Sequence, residues 1–232
     1  MTPGLANKIC IPSAAKVCCN FPETLKYLPE GKSVLTGSPI RADLLKGDRL
    51  SGLSYAHLSA EKPILMVIGG SLGSVSVNQA VRGILPRLLE TFQIIHICGK
   101  GNLDEALIGT PGYVQYEYVG APLKHLFAAA DVVISRAGAN SICELLALKK
   151  PNLLIPLPAS ASRGDQILNA NSFARQGFSS VLEEEHMNQD TLYEAIVQLY
   201  NQRQDYIQAM ETSHLNNAVE TILSLIEDCV QK

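Results

Sequence analysis

The rhythm of apolar and polar positions changes at Pro63. From there on, short apolar runs alternate with longer amphipathic segments. Ile64–Ile68, Ile94–Cys98, Val114–Val119, Asp131–Ile134, Asn152–Pro156 and Ser179–Leu182 read as strands. A helix is expected from the glycine-rich turn after Ile68 through about Leu89. Others are expected over Leu123–Ala129, from Ile142 to Leu148 and from Asp165 to Gln176, and two more finish the chain. Most of the strand runs lack a polar alternate, as strands covered on both faces do. Strands alternating with helices predict an α/β fold, a Rossmann-like parallel sheet with helices on both faces. Crossovers in such a sheet are right-handed, and ligands bind at the carboxyl ends of its strands.

Residues 1–60 read differently. Lys16–Phe21 and Ser33–Thr36 have the makings of two short strands, punctuated by Pro22, Pro29, Gly31, Gly37 and Pro39. No helix of ordinary length separates them, and two such strands cannot bury both faces. The stretch from Asp43 to Lys62 is polar and reads as a short helix and a loop. The division expected is a remnant plus linker over 1–60, the α/β domain over 61–214 and a terminal helix over 215–232. In that helix Leu215, Val219, Ile222, Ile226 and Val230 recur at helical spacing and make one apolar stripe. With little of its own chain to cover it, the stripe is expected to be an exposed patch.

Composition narrows the classes of function. The 232 residues are 47% apolar and 18% charged, enough for a sizeable core. A net charge of −3 gives no general attraction to nucleic acid, and none is expected as a partner. No apolar stretch approaches the ~20 residues of a membrane-spanning helix, and the N-terminus shows no signal-peptide pattern. The six cysteines form no C-x-x-C pair and read as reduced structural thiols. The five histidines are scattered, and no Asp-x-Asp pair occurs. No metal and no cofactor are therefore expected, and no nucleophile–base pairing is legible.

The candidate chemistry centres on Ser135-Arg136-Ala137-Gly138-Ala139-Asn140-Ser141-Ile142-Cys143-Glu144. A strand leads in, a helix leads out, and a small-residue turn lies between. Such a turn brings the first unbonded N–H groups of a helix to the sheet edge, where a phosphate or diphosphate can bind. Ser141 and Glu144 fit the S-x-x-E capping box. They fit equally a carboxylate projecting over the sheet edge to accept two ribose hydroxyls, and on the residues alone both readings stay open. Gly69-Gly70-Ser71-Leu72-Gly73 is neither a P-loop nor a clean G-x-G-x-x-G, and Gly99-Lys100-Gly101 is weaker still. No acid ends the strand Ile94–Cys98, which counts against a nicotinamide cofactor. Asp165 reads as an N-cap of the helix that follows it.

Taken together, four spaced motifs resemble one family. They are Thr36-Gly37-Ser38-Pro39-Ile40-Arg41, then Gly69–Ser74 with Asn78, then Ser135–Ala139 with Glu144, and Asp165-Gln166-Ile167-Leu168-Asn169-Ala170. Pro3-Gly4-Leu5-Ala6-Asn7 adds a fifth likeness, to a P-G-x-x-N in mid-chain. The chain resembles, over essentially its whole length, the MurG family of bacterial transferases. These add N-acetylglucosamine to undecaprenyl-diphosphate-muramoyl-pentapeptide in peptidoglycan synthesis. The resemblance implies the GT-B architecture, two Rossmann-like halves facing a cleft, with this chain as the C-terminal half that binds UDP-N-acetylglucosamine. It implies that Arg41 lies near the diphosphate and Ser71 beside the phosphates. Val119 would offer its backbone to the uracil edge. Ala139, Asn140 and Ser141 would form the helix N-terminus under the diphosphate, Glu144 would take the ribose hydroxyls, and Gln166 would bind hydroxyls of the sugar. Two positions depart from the family: Ser38 replaces a common Asn, and Asp165 stands where some members have Gln.

The family's G-G-T-G-G-H loop, with a His near the reacting centre, has no counterpart in these 232 residues. Neither do its apolar membrane-facing patch and its lipid acceptor site. The resemblance places residue 1 near the end of the family's N-terminal half. The catalytic base is then expected in that half, as are the lipid-linked acceptor's site and any contact with the inner face of the bacterial membrane. Two functions stay open. One is the donor half of an inverting, UDP-N-acetylglucosamine-dependent hexosyltransferase. The other is a non-catalytic UDP-sugar-binding fragment or the donor subunit of a split glycosyltransferase.

Overall fold

The computed structural model describes residues 2–70, 73–162, 164–213, 215 and 218–230. Residues 1–40 with 212–232 make up one unit, and residues 41–211 the other. The smaller unit opens with helix α1 (Leu5–Cys10), which buries none of its residues. Strands β1 (Val17–Cys19) and β2 (Ser33–Leu35) pair in parallel, Val17 opposite Ser33. The chain between them forms a 3-10 helix over Pro22–Tyr27.

The larger unit begins with a 3-10 helix over Ala42–Lys46 and helix α2 (Arg49–Ala56), capped by the Asp48 side chain. Then come β3 (Ile64–Ile68), α3 (Val75–Gly83), α4 (Leu85–Thr91), β4 (Gln93–Ile97), β5 (Tyr113–Tyr116) and α5 (Leu123–Ala129). β6 (Val132–Ser135), α6 (Ala139–Ala147), β7 (Asn152–Leu154), α7 (Asp165–Arg175), β8 (Ser180–Val181), α8 (Gln189–Asn201) and α9 (Arg203–Glu211) follow. Helix α10 (Ala218–Val230) belongs to the smaller unit. Of the expected stripe, Val219, Ile226 and Val230 are exposed, at 46%, 54% and 79%, whereas Leu215 and Ile222 are partly buried; Leu223, outside that stripe, is exposed as well, at 54%. Among the described residues no helix is long and apolar enough to cross a membrane.

The six strands of the larger unit run parallel in the order β5-β4-β3-β6-β7-β8. This is the doubly wound sheet that the alternating pattern predicts. β3 lies at its centre, and Ile64, Leu65, Met66 and Val67 have no exposed surface. Leu65, Val67, Ile94, Val132, Ile134 and Leu153 pack with Val77, Val81 and Leu88 of α3 and α4 and with Leu192 and Ile196 of α8. Their neighbours Met66, Ile95 and Val133, on the opposite face of the pleat, are equally buried. Both faces are covered, which is why the runs carry no polar alternate.

Several boundaries differ from those read along the sequence. Residues 41–60 join the larger unit because α2 packs on α5. Gly52 lets the two helices touch: a Cβ there would overlap the His125 carbonyl oxygen. Arg49 also pairs with Asp131 through both nitrogens, at 3.1 and 3.2 Å, and caps the Ala129 carbonyl at 2.6 Å. The single helix expected through Leu89 is two helices, because Pro86 has no N–H to donate and its ring crowds the preceding turn. The strand expected over 114–119 ends at Tyr116, so Val119 lies in the loop beyond it. Three helices close the chain rather than two, with a break at Gln202 between α8 and α9. Gly164, in the left-handed region with φ 77°, is the N-cap of α7. Asp165 is therefore its first residue rather than its cap, where its charge complements the helix dipole.

Candidate functional site

The strand order reverses between β3 and β6, so the helices after these strands leave on opposite faces and open a crevice at the strands' carboxyl ends. The loop after β3 holds Gly70 at φ 87° and Gly73 at φ 75°. A Cβ on Gly73 would overlap the Cys98 carbonyl oxygen, so the loop can lie against the end of β4 only with glycine there. Ser74 then caps α3, its hydroxyl accepting from the Val77 N–H at 3.4 Å.

After β6, Arg136-Ala137-Gly138 turns into α6. Gly138 is the N-cap and supplies no side-chain bond. The first ladder bond runs from the Ile142 N–H to the Gly138 carbonyl at 3.0 Å, so the N–H groups of Ala139, Asn140 and Ser141 precede the ladder. They point their partial positive charge at the crevice. The helix starts two residues before Ser141, so Ser141 and Glu144 do not form a capping box. Glu144 instead sits one turn along from Asn140 and Ser141 on the same face of α6.

Two clefts meet at this helix start, sharing Gly70 and Ser141. One, of about 410 Å³, is walled by Ile68, Ile97, Tyr118 and Val119, with Arg41 at its edge. The other, of about 490 Å³, is walled by Gly73, Ser74, Ser76, Arg136 and Gln166. The arrangement fits an elongated ligand with a planar ring at one end, an anionic middle and a hydroxyl-rich far end.

Of the residues expected at the site, Arg41, Val119, Ser141 and Gln166 line the two clefts. Arg41 and Glu144 form an ion pair at 3.7 Å, with side chains 72% and 25% exposed. Burial pushes the Glu144 carboxyl above its ordinary value, and the Arg41 charge pulls it part of the way back. Val119 is buried against the first cleft. Gln166 lines the second, and its carbonyl oxygen accepts from the backbone N–H groups of Ala137 (3.2 Å) and Leu157 (3.1 Å). Its amide NH₂ is left as the group to meet a ligand, so Gln166 can act on a sugar only as a donor. Ser71 lies outside the described residues. Among the described residues no group of three or more His, Cys, Asp and Glu could hold a metal ion.

Two participants escaped the sequence reading. Tyr118 is 76% exposed beside the first cleft, an aromatic ring with nothing packed over it. A large exposed aromatic next to a buried Val119 is a signal, but only once the end of β5 is known. Arg136 is buried and gives its guanidinium to the Ser74 and Ser76 hydroxyls, at 2.7 and 3.0 Å, and to the Ile155 and Pro156 carbonyls, at 3.0 and 3.2 Å. Its partners lie far off along the chain, which no local motif encodes.

Comparison with known proteins gives a consistent picture. Residues 64–226 match the glycosyltransferase family 28 C-terminal domain. The chain is 62% identical over 98% of its length to a Lachnospira eligens protein named UDP-N-acetylglucosamine--N-acetylmuramyl-(pentapeptide) pyrophosphoryl-undecaprenol N-acetylglucosamine transferase. It is 56% identical, over the same share, to the Clostridium novyi protein of that name. It spans 64% of the length of each of these relatives. Among solved structures, that of Acinetobacter baumannii MurG superposes with a TM-score of 0.74 at 22% identity, covering 98% of this chain and 64% of that one. A kitacinnamycin glycosyltransferase superposes at 0.70 with 18% identity, covering 93% and 55%. At these identities the structures speak for the fold.

Proposed function

The chain belongs to the glycosyltransferase family 28 C-terminal domain family, and from that premise we propose that it binds UDP-N-acetylglucosamine as the donor-binding part of an N-acetylglucosaminyltransferase. The acceptor in this reading is the lipid-linked muramoyl-pentapeptide of peptidoglycan synthesis, the substrate in the names of the relatives. One observation carries the proposal. The uncapped start of α6 lies where two clefts meet, with Arg41 and Glu144 on one side and Gln166 on the other.

Uracil occupies the first cleft beside Val119 and under Tyr118. The diphosphate lies at the N–H groups of Ala139, Asn140 and Ser141, with Arg41 beside it. Glu144 accepts the ribose hydroxyls once the ligand displaces Arg41 from it. An exposed ion pair of this kind is worth at most about 1 kcal/mol, so exchanging it is cheap. The sugar fills the second cleft, where the Gln166 NH₂ donates to its hydroxyl oxygens.

In the reaction an acceptor hydroxyl attacks the anomeric carbon from the face opposite the diphosphate, and the centre inverts. Negative charge grows on the departing UDP, where the α6 N–H groups and Arg41 are already aimed. The base that takes the acceptor proton, the acceptor site and contact with the inner face of the membrane belong, in this proposal, to the part of the relatives that these residues do not span. Calorimetric titration tests the donor site. UDP should bind in the micromolar range and UDP-N-acetylglucosamine at the same site, whereas GDP should not compete. A chain that binds neither uridine nucleotide would overturn the reading.

A further inference from the structure

Glu183, Glu184 and Glu185 form an acidic run after β8, and only the middle one turns inward. Its carboxylate meets the Arg136 guanidinium in an ion pair whose side chains are 22% and 10% exposed. The same guanidinium holds the Ser74 and Ser76 hydroxyls and the Pro156 carbonyl. The next peptide N–H, that of Leu157, donates to the Gln166 side chain. Ser74, Ser76, Arg136, Leu157 and Gln166 all wall the second cleft, and none of them lines the first.

We infer that Glu184 is a positioning residue for the sugar subsite, acting through Arg136 on the cleft wall and on Gln166. This rests on the donor-site reading above. A guanidinium buried with hydroxyls and carbonyls has several near-equal arrangements, since each partner is neutral. A carboxylate on one side, whose facing oxygen makes no hydrogen bond, selects one of them by Coulomb attraction to the guanidinium. The choice fixes where the Pro156–Leu157 peptide sits, and with it which way the Gln166 NH₂ faces. The uracil and ribose contacts lie beyond this chain of bonds.

The consequence is a change in selectivity rather than in general affinity. With the full 232-residue chain, UDP and UDP-N-acetylglucosamine are titrated by calorimetry against the parent and against Glu184→Ala. The ratio of the two dissociation constants, sugar nucleotide over UDP, should rise by about fivefold or more, the lower end of coupling between linked sites. UDP affinity itself should be kept or improved, because Arg136 is no longer neutralised. Breaking a buried pair can unfold a protein, so Glu184→Gln, uncharged but of the same shape, is measured as well and stands in if the Ala variant does not fold. A merely structural role would weaken both ligands alike. A folded variant whose ratio stays within about twofold of the parent would overturn the inference while leaving the donor site intact. A parent chain that binds neither ligand would instead remove the donor-site reading, and this inference with it.

Discussion

Glu144 shows what a four-residue spacing leaves open and what closes it. Ser141-x-x-Glu144 satisfies a capping box on paper, but α6 begins at Ala139, so the carboxylate is one turn too far along to reach the helix start. It pairs with the exposed Arg41 instead. Glu144→Gln should therefore lower UDP affinity by about tenfold, the difference between a charged and a neutral acceptor of two hydroxyls. Its folded pKa is raised, so its ionised form is disfavoured in the native state and any stability it contributes is lost as pH rises. Losing that charge should then leave the melting temperature at neutral pH unchanged or slightly higher. A clear drop in melting temperature with unaltered UDP binding would restore the capping role. For the same reason the fall in UDP affinity on acidification should set in at a higher pH than an ordinary glutamate would give. His96 makes a second residue-level case. It is fully buried between Asn78 and Tyr113, at 2.9 Å from each, and burial depresses it to about 3. The unfolded chain binds the proton first, so stability is full above the ordinary value of 6.5 and is lost as pH falls from there toward 3. Melting curves across that range should show the loss, and His96→Gln should flatten it while melting lower at pH 7. Nothing along the sequence marked His96, and Arg136 stood in a motif without a role, because their partners come from distant parts of the chain. Arg41, Glu144 and Gln166 stand in the motifs, whereas Val119 came only with the family resemblance.

At the scale of elements, the strands were readable wherever both faces are covered, as in Ile64–Ile68 and Ile94–Ile97, since burial on both sides admits only apolar residues. β5 was less readable: its Val114, Gln115 and Tyr116 are only partly buried, so its end is set by pairing with β4 rather than by composition. The helix after β3 was legible as helix but not as two helices, although Pro86 stood in plain view. Proline is tolerated in a first turn, so its presence alone does not say whether a helix bends or restarts. The break between α8 and α9 carries no such residue, and a polar Asn201-Gln202-Arg203 stretch gives no warning of it. A short helix and a loop were expected over Asp43–Lys62 and assigned to a linker, and α2 is a helix within that stretch. Its reason for existing is the close approach to α5, which no local pattern announces. Gly52→Ala would force the helices apart, since the new methyl meets the His125 carbonyl oxygen rather than a flexible side chain. Overpacking of this kind costs about 1–3 kcal/mol. Urea unfolding should register that loss, and a midpoint equal to the parent's would mean that α2 is not fixed on α5.

At the scale of the molecule, the doubly wound order β5-β4-β3-β6-β7-β8 puts each donor contact in residues 41–166, inside one unit. A site contained in one unit should bind its ligand without help, whereas the chemistry needs more. The relatives are longer, these residues spanning 64% of them, and the sequence here contains no G-G-T-G-G-H loop. α10 adds a second sign that something else belongs on this chain, because an apolar stripe of Val219, Leu223, Ile226 and Val230 is a partner surface or an aggregation hazard. The 232 residues by themselves are thus expected to bind UDP-N-acetylglucosamine and not to transfer the sugar. Holding the acceptor hydroxyl in line with the anomeric carbon accounts for about 7–11 kcal/mol of such a barrier, a task this reading gives to the part of the relatives that these residues do not span. Removing the acceptor's proton and excluding water add to the deficit. The decisive assay uses radiolabelled donor and a lipid-linked muramoyl-pentapeptide, with and without the separately expressed N-terminal segment of the Lachnospira eligens relative. Transfer should appear only with that segment present. Ile226→Glu on α10 should weaken the rescue while leaving calorimetric binding of UDP as it was. Transfer by the chain alone would show that the acceptor site and the base lie within these residues. Donor binding with no rescue would favour a nucleotide-sugar-binding module over half of an enzyme.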